Sequence, residues 1–375
     1  MIITFENKKS EEEIFNKATK LQQKSLKHIN NQDYKNDNLL IHGENFCVLS
    51  QLIKGGYKNK IDLVYIDPPF STNGIFRIDN DNGETRTVSS SEKSKIAYTD
   101  HLTGDEFLEF LRERLVLIRE LLSPRGSIYL HIDYKIGHYV KVVMDEIFGS
   151  ENFLNDITRI KSNPKNFGRK AYGNEKDLVL FYAKNKGKNI FNNITIPYTK
   201  EELVEKFKKV DSNGRRYNTV PVHAPGESQG DTGKKWKNML PPKGRHWRTS
   251  PEKLDELDDQ GLIEWSKTGN PRIKKYADEN KGKKIQDIWF GYKDPTRPQY
   301  PTQKNGDMLN MIVAQSSNPN SIVLDCFAGS GSIGLSAVHQ NRNFILIDES
   351  NEAIQLMKKR LEEDVFVKYS FIDMN

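Results

Sequence analysis

The stretch Val64 to Gly74, VYIDPPFSTNG, places a carboxylate, two prolines and an aromatic ring at the end of an apolar run. An isolated Asp-Pro pair most often starts a turn, and for Asp67 alone a turn or capping acid is the reading to prefer. The second proline changes that weighing. Pro68 and Pro69 fix two successive φ angles and remove two N–H groups, so the local carbonyls face outward as acceptors. A carboxylate and the Pro68 carbonyl can take both hydrogens of an amino group, while Phe70 stacks on the planar ring that carries it. The exocyclic amine of a nucleobase is a weak nucleophile, because its lone pair is delocalised into the ring. Two hydrogen bonds in a dry site favour the pyramidal amine, whose lone pair can attack in line. Asp67 then orients and polarises; the proton leaves after the attack, when the nitrogen is cationic and acidic.

A second constellation lies near the other end of the chain. Gly329, Gly331 and Gly334 spell G-x-G-x-x-G, and Asp348 closes the next apolar run nineteen residues after the first glycine (348 − 329 = 19). Taken alone, that is a dinucleotide-binding fingerprint. However, Asp325 ends the preceding run and Cys326-Phe327-Ala328 intervene, whereas a dinucleotide turn sets its glycines directly at the strand end against a pyrophosphate. The 41 residues after Gly334 (375 − 334 = 41) are too few for the second half of such a sheet, so that half is expected earlier, as in a permuted chain. A nucleoside ligand fits better. Glycines let backbone approach it, Asp348 can take both ribose hydroxyls, and Asp325 can meet a cationic amino group directly or through water. S-adenosylmethionine (AdoMet) has all those groups, and its sulfonium methyl is the electrophile that an amine at Asp67 would attack.

The elements that must position these residues alternate between strand and helix. NLLIHGEN (38–45) and IDLVYID (61–67) read as buried parallel strands, SIYLHID (127–133) and DLVLFYAK (177–184) as further strands, and GHYVKVVMDEIF (137–148) as a helix. From Thr103 a capping box opens a helix whose apolar face is Phe107, Phe110, Leu111, Leu115, Ile118 and Leu122, stopped at Ser123-Pro-Arg-Gly126. The rhythm returns with a helix at 306–317, a strand and turn at 321–334, a strand at 343–350 and a helix at 352–364. One sheet is therefore built from both ends of the chain. Residues 71–100 are polar without sustained periodicity, long for a passive connection and expected to cover DNA or cofactor. The expected organisation is a helical extension at 1–35, a first catalytic part at 36–185, a separate region at 186–295 holding all four tryptophans, and a second catalytic part at 296–375.

At this point the sequence resembles the DNA amino-methyltransferases, which methylate adenine N6 or cytosine N4 from AdoMet. DPPF (67–70) is similar to their catalytic D/N/S-P-P-Y/F/W motif, DCFAGSG (325–331) to their AdoMet motif, and the order of the two is that of the permuted beta group. The resemblance implies catalytic roles for Asp67, Pro68, Pro69 and Phe70, and cofactor contacts from Asp325, Phe327, Gly329, Ser330, Gly331 and Asp348. YPTQKN (300–305) resembles the group's H-P-T-Q-K-P segment, which implies that Thr302, Gln303 and Lys304 lie near the methionine end of AdoMet; Tyr300 and Asn305 depart from it. HGENFCVLSQL (42–52) resembles the G-D-N segment, with Glu44 where Asp is usual, and implies that Glu44 and Asn45 border the cofactor adenine. NEKDLVLFYAK (174–184) resembles the strand that walls the target-base pocket, and 247–290 resembles larger type III modification subunits. The implied fold is α/β, a Rossmann-like seven-stranded methyltransferase sheet in circularly permuted order with an inserted target-recognition domain. Flipping of the target base follows from the same resemblance.

DNA contacts are sought where charge collects. Residues 230–250 hold Lys234, Lys235, Lys237, Lys243, Arg245 and Arg248 against Asp231, a local balance of 6 − 1 = +5 beside a whole-chain +6. Interleaved Trp236, His246 and Trp247 make this stretch a DNA face or, as the plainer reading, a solvated basic surface over a small tryptophan core. KSNPKNFGRK (161–170) offers a second basic loop, with Lys161, Lys165, Arg169 and Lys170 beside the pocket strand, or a solvated loop with equal weight. The eight histidines show no metal-ligand spacing, His131 and His138 read as structural, and no metal is expected. Cys47 and Cys326 make neither a disulfide framework nor a zinc site. No signal segment and no run of about 18 apolar residues is found, so a cytoplasmic protein is expected.

The reading is thus an adenine-N6 DNA methyltransferase acting on duplex DNA, either in a restriction-modification system or as an orphan methylase. Asp67 favours adenine, because the family's cytosine members more often carry Ser there. N4-cytosine methylation is the alternative. An RNA or protein-glutamine methylase, a silent AdoMet- and DNA-binding subunit, and a NAD-dependent oxidoreductase fit less well. A restriction endonuclease and a second copy of the chain are the partners that the family suggests.

Overall fold

Short β-branched and aromatic runs bounded by Gly, Asn, Asp or Pro become the strands of one large sheet. In the computed structural model these are β1 (Asn38–His42), β2 (Ile61–Ile66), β3 (Leu122–Ile132), β4 (Phe153–Ile160), β5 (Lys176–Ala183), β6 (Ile288–Trp289), β7 (Ile322–Asp325), β8 (Asn343–Asp348) and β9 (Tyr369–Asp373). The structure describes residues 2–24, 29–34, 38–69, 104–161, 170–295, 303–363 and 367–375, with the backbone of three short strands between 75 and 99. The sheet order is β6-β4-β5-β3-β2-β7-β8-β1-β9. Neighbours from β3 across to β9 are parallel, while β5 runs antiparallel to both β3 and β4. The expected seven strands are present with one short strand added at each edge: two-residue β6 beside β4, and β9 beside β1.

Period-two alternation decides which residues face which layer. Leu39, Ile41, Val64, Ile66, Ile128, Leu130, Leu180, Leu324, Ile345 and Ile347 join one core. Helices α1 (Glu11–Lys24), α2 (Asn45–Leu52), α3 (Gly104–Leu121) and α4 (Gly137–Phe148) cover it, through residues such as Ile14, Phe46, Leu115 and Met144. The intervening Leu40, Leu63, Val323, Phe344 and Leu346 are buried on the opposite face. There lie α5 (Gly306–Ser316), α6 (Ser332–Val338) and α7 (Asn351–Glu363). At Gly334 an added Cβ would stand 2.6 Å from Leu346 Cδ1, so α6 approaches β8 only because that residue is glycine. By the same alternation Tyr65, Asp67, His131, Asp325 and Asp348 fall on one side of the sheet. Among the described residues no helix is long and apolar enough to cross a membrane.

Two compact units divide the chain, residues 1–194 with 286–375, and residues 195–285. The second is narrower than the expected 186–295. Asn192 hydrogen-bonds Ala314 and Ser317, and β6 pairs with β4, which ties both flanks to the large sheet. Within the second unit, strands Arg216–Pro221, Ile263–Trp265 and Pro271–Tyr276 build most of a four-stranded antiparallel sheet. Helix Pro251–Asp259, capped by Ser250, closes a core of Val222, Trp236, Trp247, Leu254, Ile263 and Ile273. In the first unit, the polar stretch 71–100 is more regular than its composition suggests. Ile75–Ile78 pairs antiparallel with Thr85–Arg86 and with Lys95–Thr99, runs too short to show a period amid Ser, Asn and Asp.

Candidate active site

β2 and β7 are neighbours, so the acid of each C-terminal end opens into one cavity of about 680 Å³. Asp67 follows the last residue of β2, and Pro68 and Pro69 take the chain out of the sheet without donors. Asp67 Oδ2 accepts from Lys304 Nζ at 2.5 Å. Oδ1 is buried and has no hydrogen-bond partner among the described residues. An unpaired buried carboxylate oxygen is costly unless a donor arrives. Asp67 is the residue in which the sequence suggests the acceptor half of an amine clamp; Phe70, the suggested ring half, lies outside the described residues.

The glycine turn wraps the other side. Phe327 N donates to Asp325 Oδ1 (2.9 Å), Ala328 N to the Ile347 carbonyl (3.1 Å) and Gly329 N to Asp348 Oδ2 (2.7 Å). Gly329 and Gly331 adopt φ of 49° and 68°, the left-handed region where a side chain is strained. Gly331 serves packing more than lining: a Cβ there would meet Met357 Cγ at 2.7 Å. Gly329, Ser330, Phe327, Asp325 and Asp348 line the cavity, as do Gln303, Lys304, Glu44 and Asn45. Thr302 lies outside the described residues. Asp348 is engaged twice by backbone, its Oδ1 accepting from Ser350 N at 2.9 Å.

Burial sets the electrostatics. It pushes Asp348 up to about 6, against the two backbone donors that favour its ionised form. Burial also raises Asp325 well above the ordinary carboxylate range, helped by the nearby Asp67 and Asp348 carboxylates. The lining holds six acids (Glu44, Asp67, Asp325, Asp348, Glu349, Glu352) against two bases (Arg114, Lys304). A pyrophosphate would add negative charge to this excess, whereas a sulfonium and an ammonium would relieve it. The residues therefore fit AdoMet and do not fit a dinucleotide.

Arg114 and Tyr65, which the sequence did not single out, border the cavity together with Phe110, which it read as a helix-face position; His131, which it read as structural, lies beneath Asp67. Arg114 from α3 donates to Asn45 Oδ1 and Glu44 Oε1, both at 2.5 Å, and stacks 3.5 Å from the Phe110 ring centroid. Phe110 in turn stands 6.1 Å from Phe327. Glu44 caps α2 through Phe46 N and Cys47 N, and Asn45 Nδ2 donates to the Cys326 carbonyl at 3.0 Å. Glu44 and Asn45 thus tie the helix to the glycine turn while bordering the cavity. Beneath Asp67, fully buried His131 has Nδ1 at 3.9 Å from Asp67 Oδ1 and 3.1 Å from the Tyr65 hydroxyl, with Nε2 3.2 Å from Asp177.

The basic residues sort differently from their sequence clustering. Lys161 is drawn to Asp177 at 2.5 Å, Lys234 to Asp231 at 2.6 Å, and Lys237 to Asp258. Arg245 hydrogen-bonds His223 and Arg248 the Pro221 carbonyl, while Lys170 and Lys235 are exposed. Lys165 and Arg169 lie outside the described residues. Trp236 and Trp247 are core, in edge contact at 5.9 Å.

Type II methyltransferase M.EcaI of Enterobacter cloacae is 42% identical over 328 residues, which cover 86% of this chain and 69% of that protein. The EcoP15I Mod subunit, of a type III restriction-modification enzyme from Escherichia coli, is 26% identical over 383 residues, covering 83% of this chain and 58% of the subunit. Among solved structures, the M1.HpyAVI–SAM complex aligns with 86% of this chain and all of its own, at 20% identity and a TM-score of 0.45. The model of the N6_N4_Mtase family, described as DNA methylase, matches residues 61–359, a span that runs from the first residue of β2 through the glycine turn into α7. The chain belongs to this family of AdoMet-dependent DNA methylases.

Proposed function

We propose that the protein transfers the methyl group of AdoMet to the exocyclic N6 of an adenine flipped out of duplex DNA, as the modification activity of a restriction-modification system. The observation that carries this reading is the buried Asp67 Oδ1, which lacks a donor among the described residues at the mouth of an acidic, glycine-lined cavity. When bound, AdoMet supplies an electrophilic methyl group. Asp325 and Asp348 hold its cationic and hydroxyl groups, and Gln303 and Lys304 line the cavity beside Asp67. Lys304 fixes one oxygen of Asp67, so that the other accepts from the target amine, with the Pro68 carbonyl taking the second hydrogen. Phe70 stacks on the base. Lys235, Arg245 and Arg248 in the 195–285 unit contact phosphates.

Incubation with AdoMet and unmethylated duplex DNA, digestion to nucleosides and mass spectrometry tests this reading. N6-methyladenine is expected. N4-methylcytosine alone would move the assignment to the cytosine branch, and absence of any methylated base would overturn the activity.

A further inference from the structure

Asn305 departs from the proline of the resembled segment, and its side chain makes two contacts that a proline cannot. It is the N-cap of α5, with Oδ1 accepting from Met308 N at 3.0 Å. Its Nδ2 donates to the Lys293 carbonyl at 2.9 Å. One partner is a donor and the other an acceptor, so both bonds form in a single orientation of the amide. The Lys293 carbonyl is itself held. β6 pairs with β4, Trp289 opposite Arg159, and Trp289 meets Tyr292 edge-on at 6.3 Å. The fully buried Arg159 guanidinium donates to the Tyr292 carbonyl at 3.1 Å from Nε and 2.7 Å from Nη2, and Nη2 also meets Asp294. The residues on both sides of Lys293 are therefore fixed to the edge of the sheet.

Asn305 directly follows Lys304, whose buried ammonium lies 2.5 Å from Asp67 Oδ2. An ammonium on a flexible four-carbon stem holds a carboxylate only as firmly as its backbone is held. Here α5 fixes that backbone from one side, through the cap, and the 288–294 segment from the other, through Nδ2. Resting on the methyltransfer reading, we propose that Asn305 is a positioning residue: it ties Lys304 to the β6 edge and so sets the place of the Asp67 carboxylate that meets the target amine. The contacts run from Arg159 on β4, through Tyr292 to Asp294 and Asn305, to Lys304 and Asp67. The two-residue β6, an addition to the seven-stranded sheet, thereby supplies the fixed edge.

The test measures single-turnover methylation of duplex DNA at saturating AdoMet, with melting temperatures, for wild type, Asn305→Ser, Asn305→Ala, Lys304→Met and the double variant Asn305→Ser with Lys304→Met. Serine keeps a cap for Met308 N but not the donor to Lys293, whereas alanine loses both. Both Asn305 variants are expected to be slower by about three- to tenfold. Only Asn305→Ala should melt clearly lower, and in the Lys304→Met background Asn305→Ser should lower the rate no further. An unchanged rate in Asn305→Ser, a rate that falls in Asn305→Ala alone as a capping role would have it, or an Asn305→Ser loss that persists in full beside Lys304→Met overturns the proposal. A wild type that methylates nothing sinks the methyltransfer reading, and the crystal structure of Asn305→Ser then decides separately: Lys304 drawn away from Asp67 supports the anchoring, and an unmoved contact overturns it.

Discussion

The Lys304 ammonium rests 2.5 Å from Asp67 Oδ2, with both side chains largely withdrawn from water. The pair divides one carboxylate: Oδ2 is anchored, while Oδ1 has no partner among the described residues and, on the proposed function, takes the substrate amine. Asp67→Ala removes both and is expected to lower single-turnover methylation by about 10²- to 10³-fold. Lys304→Met leaves the acceptor but frees its orientation, so a smaller fall in kcat, roughly tenfold, is expected. Equal rates for wild type and Lys304→Met would refute the anchoring role.

Asp348 is raised to about 6, and on the proposed assignment of its carboxylate to the ribose hydroxyls this predicts pH-dependent cofactor binding. On that assignment the ribose hydroxyls donate to the ionised form, so binding is expected to lower this pKa and release a proton. AdoMet affinity should therefore weaken as pH falls from 7 to 5, by about tenfold, and isothermal titration should show the slope vanish in Asp348→Asn. The free protein behaves in the opposite sense. Between the ordinary aspartate value of 3.8 and about 6 the folded state binds more protons than the unfolded state, so this group's contribution to stability declines as pH rises through that window.

Arg114 joins Glu44, Asn45 and Phe110 into one wall of the cavity. Arg114→Ala leaves Asn45 Oδ1 and Glu44 without their donor and should destabilise the fold by about 1–3 kcal/mol, at the lower end because Glu44 is half-exposed. AdoMet affinity should fall with it. Arg114→Lys should not restore either, since a point charge cannot serve two acceptors and stack on a ring at once. Thermal melts and calorimetry on the three proteins decide the matter.

The 195–285 unit separates cations already neutralised from those available to a polyanion. Lys235→Ala and Arg248→Ala should each weaken DNA binding and reduce the salt dependence of log K by about one. Lys237→Ala, whose ammonium is held by Asp258 over two tryptophans, should change binding less. Fluorescence anisotropy across a salt series separates these outcomes, and equal slopes for all three variants would remove the distinction.

Much of the site was legible because chemistry and periodicity coincide at strand ends. Asp67, Asp325 and Asp348 each close an apolar run, and parallel strands bring such ends together. Where a charge sits inside an element, its composition misleads. Arg114 belongs to the charged run RERLVLIRE, which looks like a solvated helix face, yet both flanks of α3 are buried. Arg159 gives β4 a polar look, although its guanidinium is buried against Asp177, Asp294 and the Tyr292 carbonyl. The sequence reading therefore passed over β4. His131 was read as structural because no single-residue signal distinguishes a buried packing imidazole from one lying beneath an acid that lines a cavity. Only the pairing of β2 with β3 brings it beneath Asp67.

β2 and β7 lie side by side although Ile61 and Ile322 are 261 residues apart (322 − 61 = 261). Contacts of such range are slow to form and must wait for both partners to exist. During synthesis the strand bearing Asp67 leaves the ribosome long before the one bearing the glycine turn. A nascent chain therefore has no complete cavity until the strand bearing the glycine turn has been made. The order of the two halves places the completion of the cavity late in synthesis.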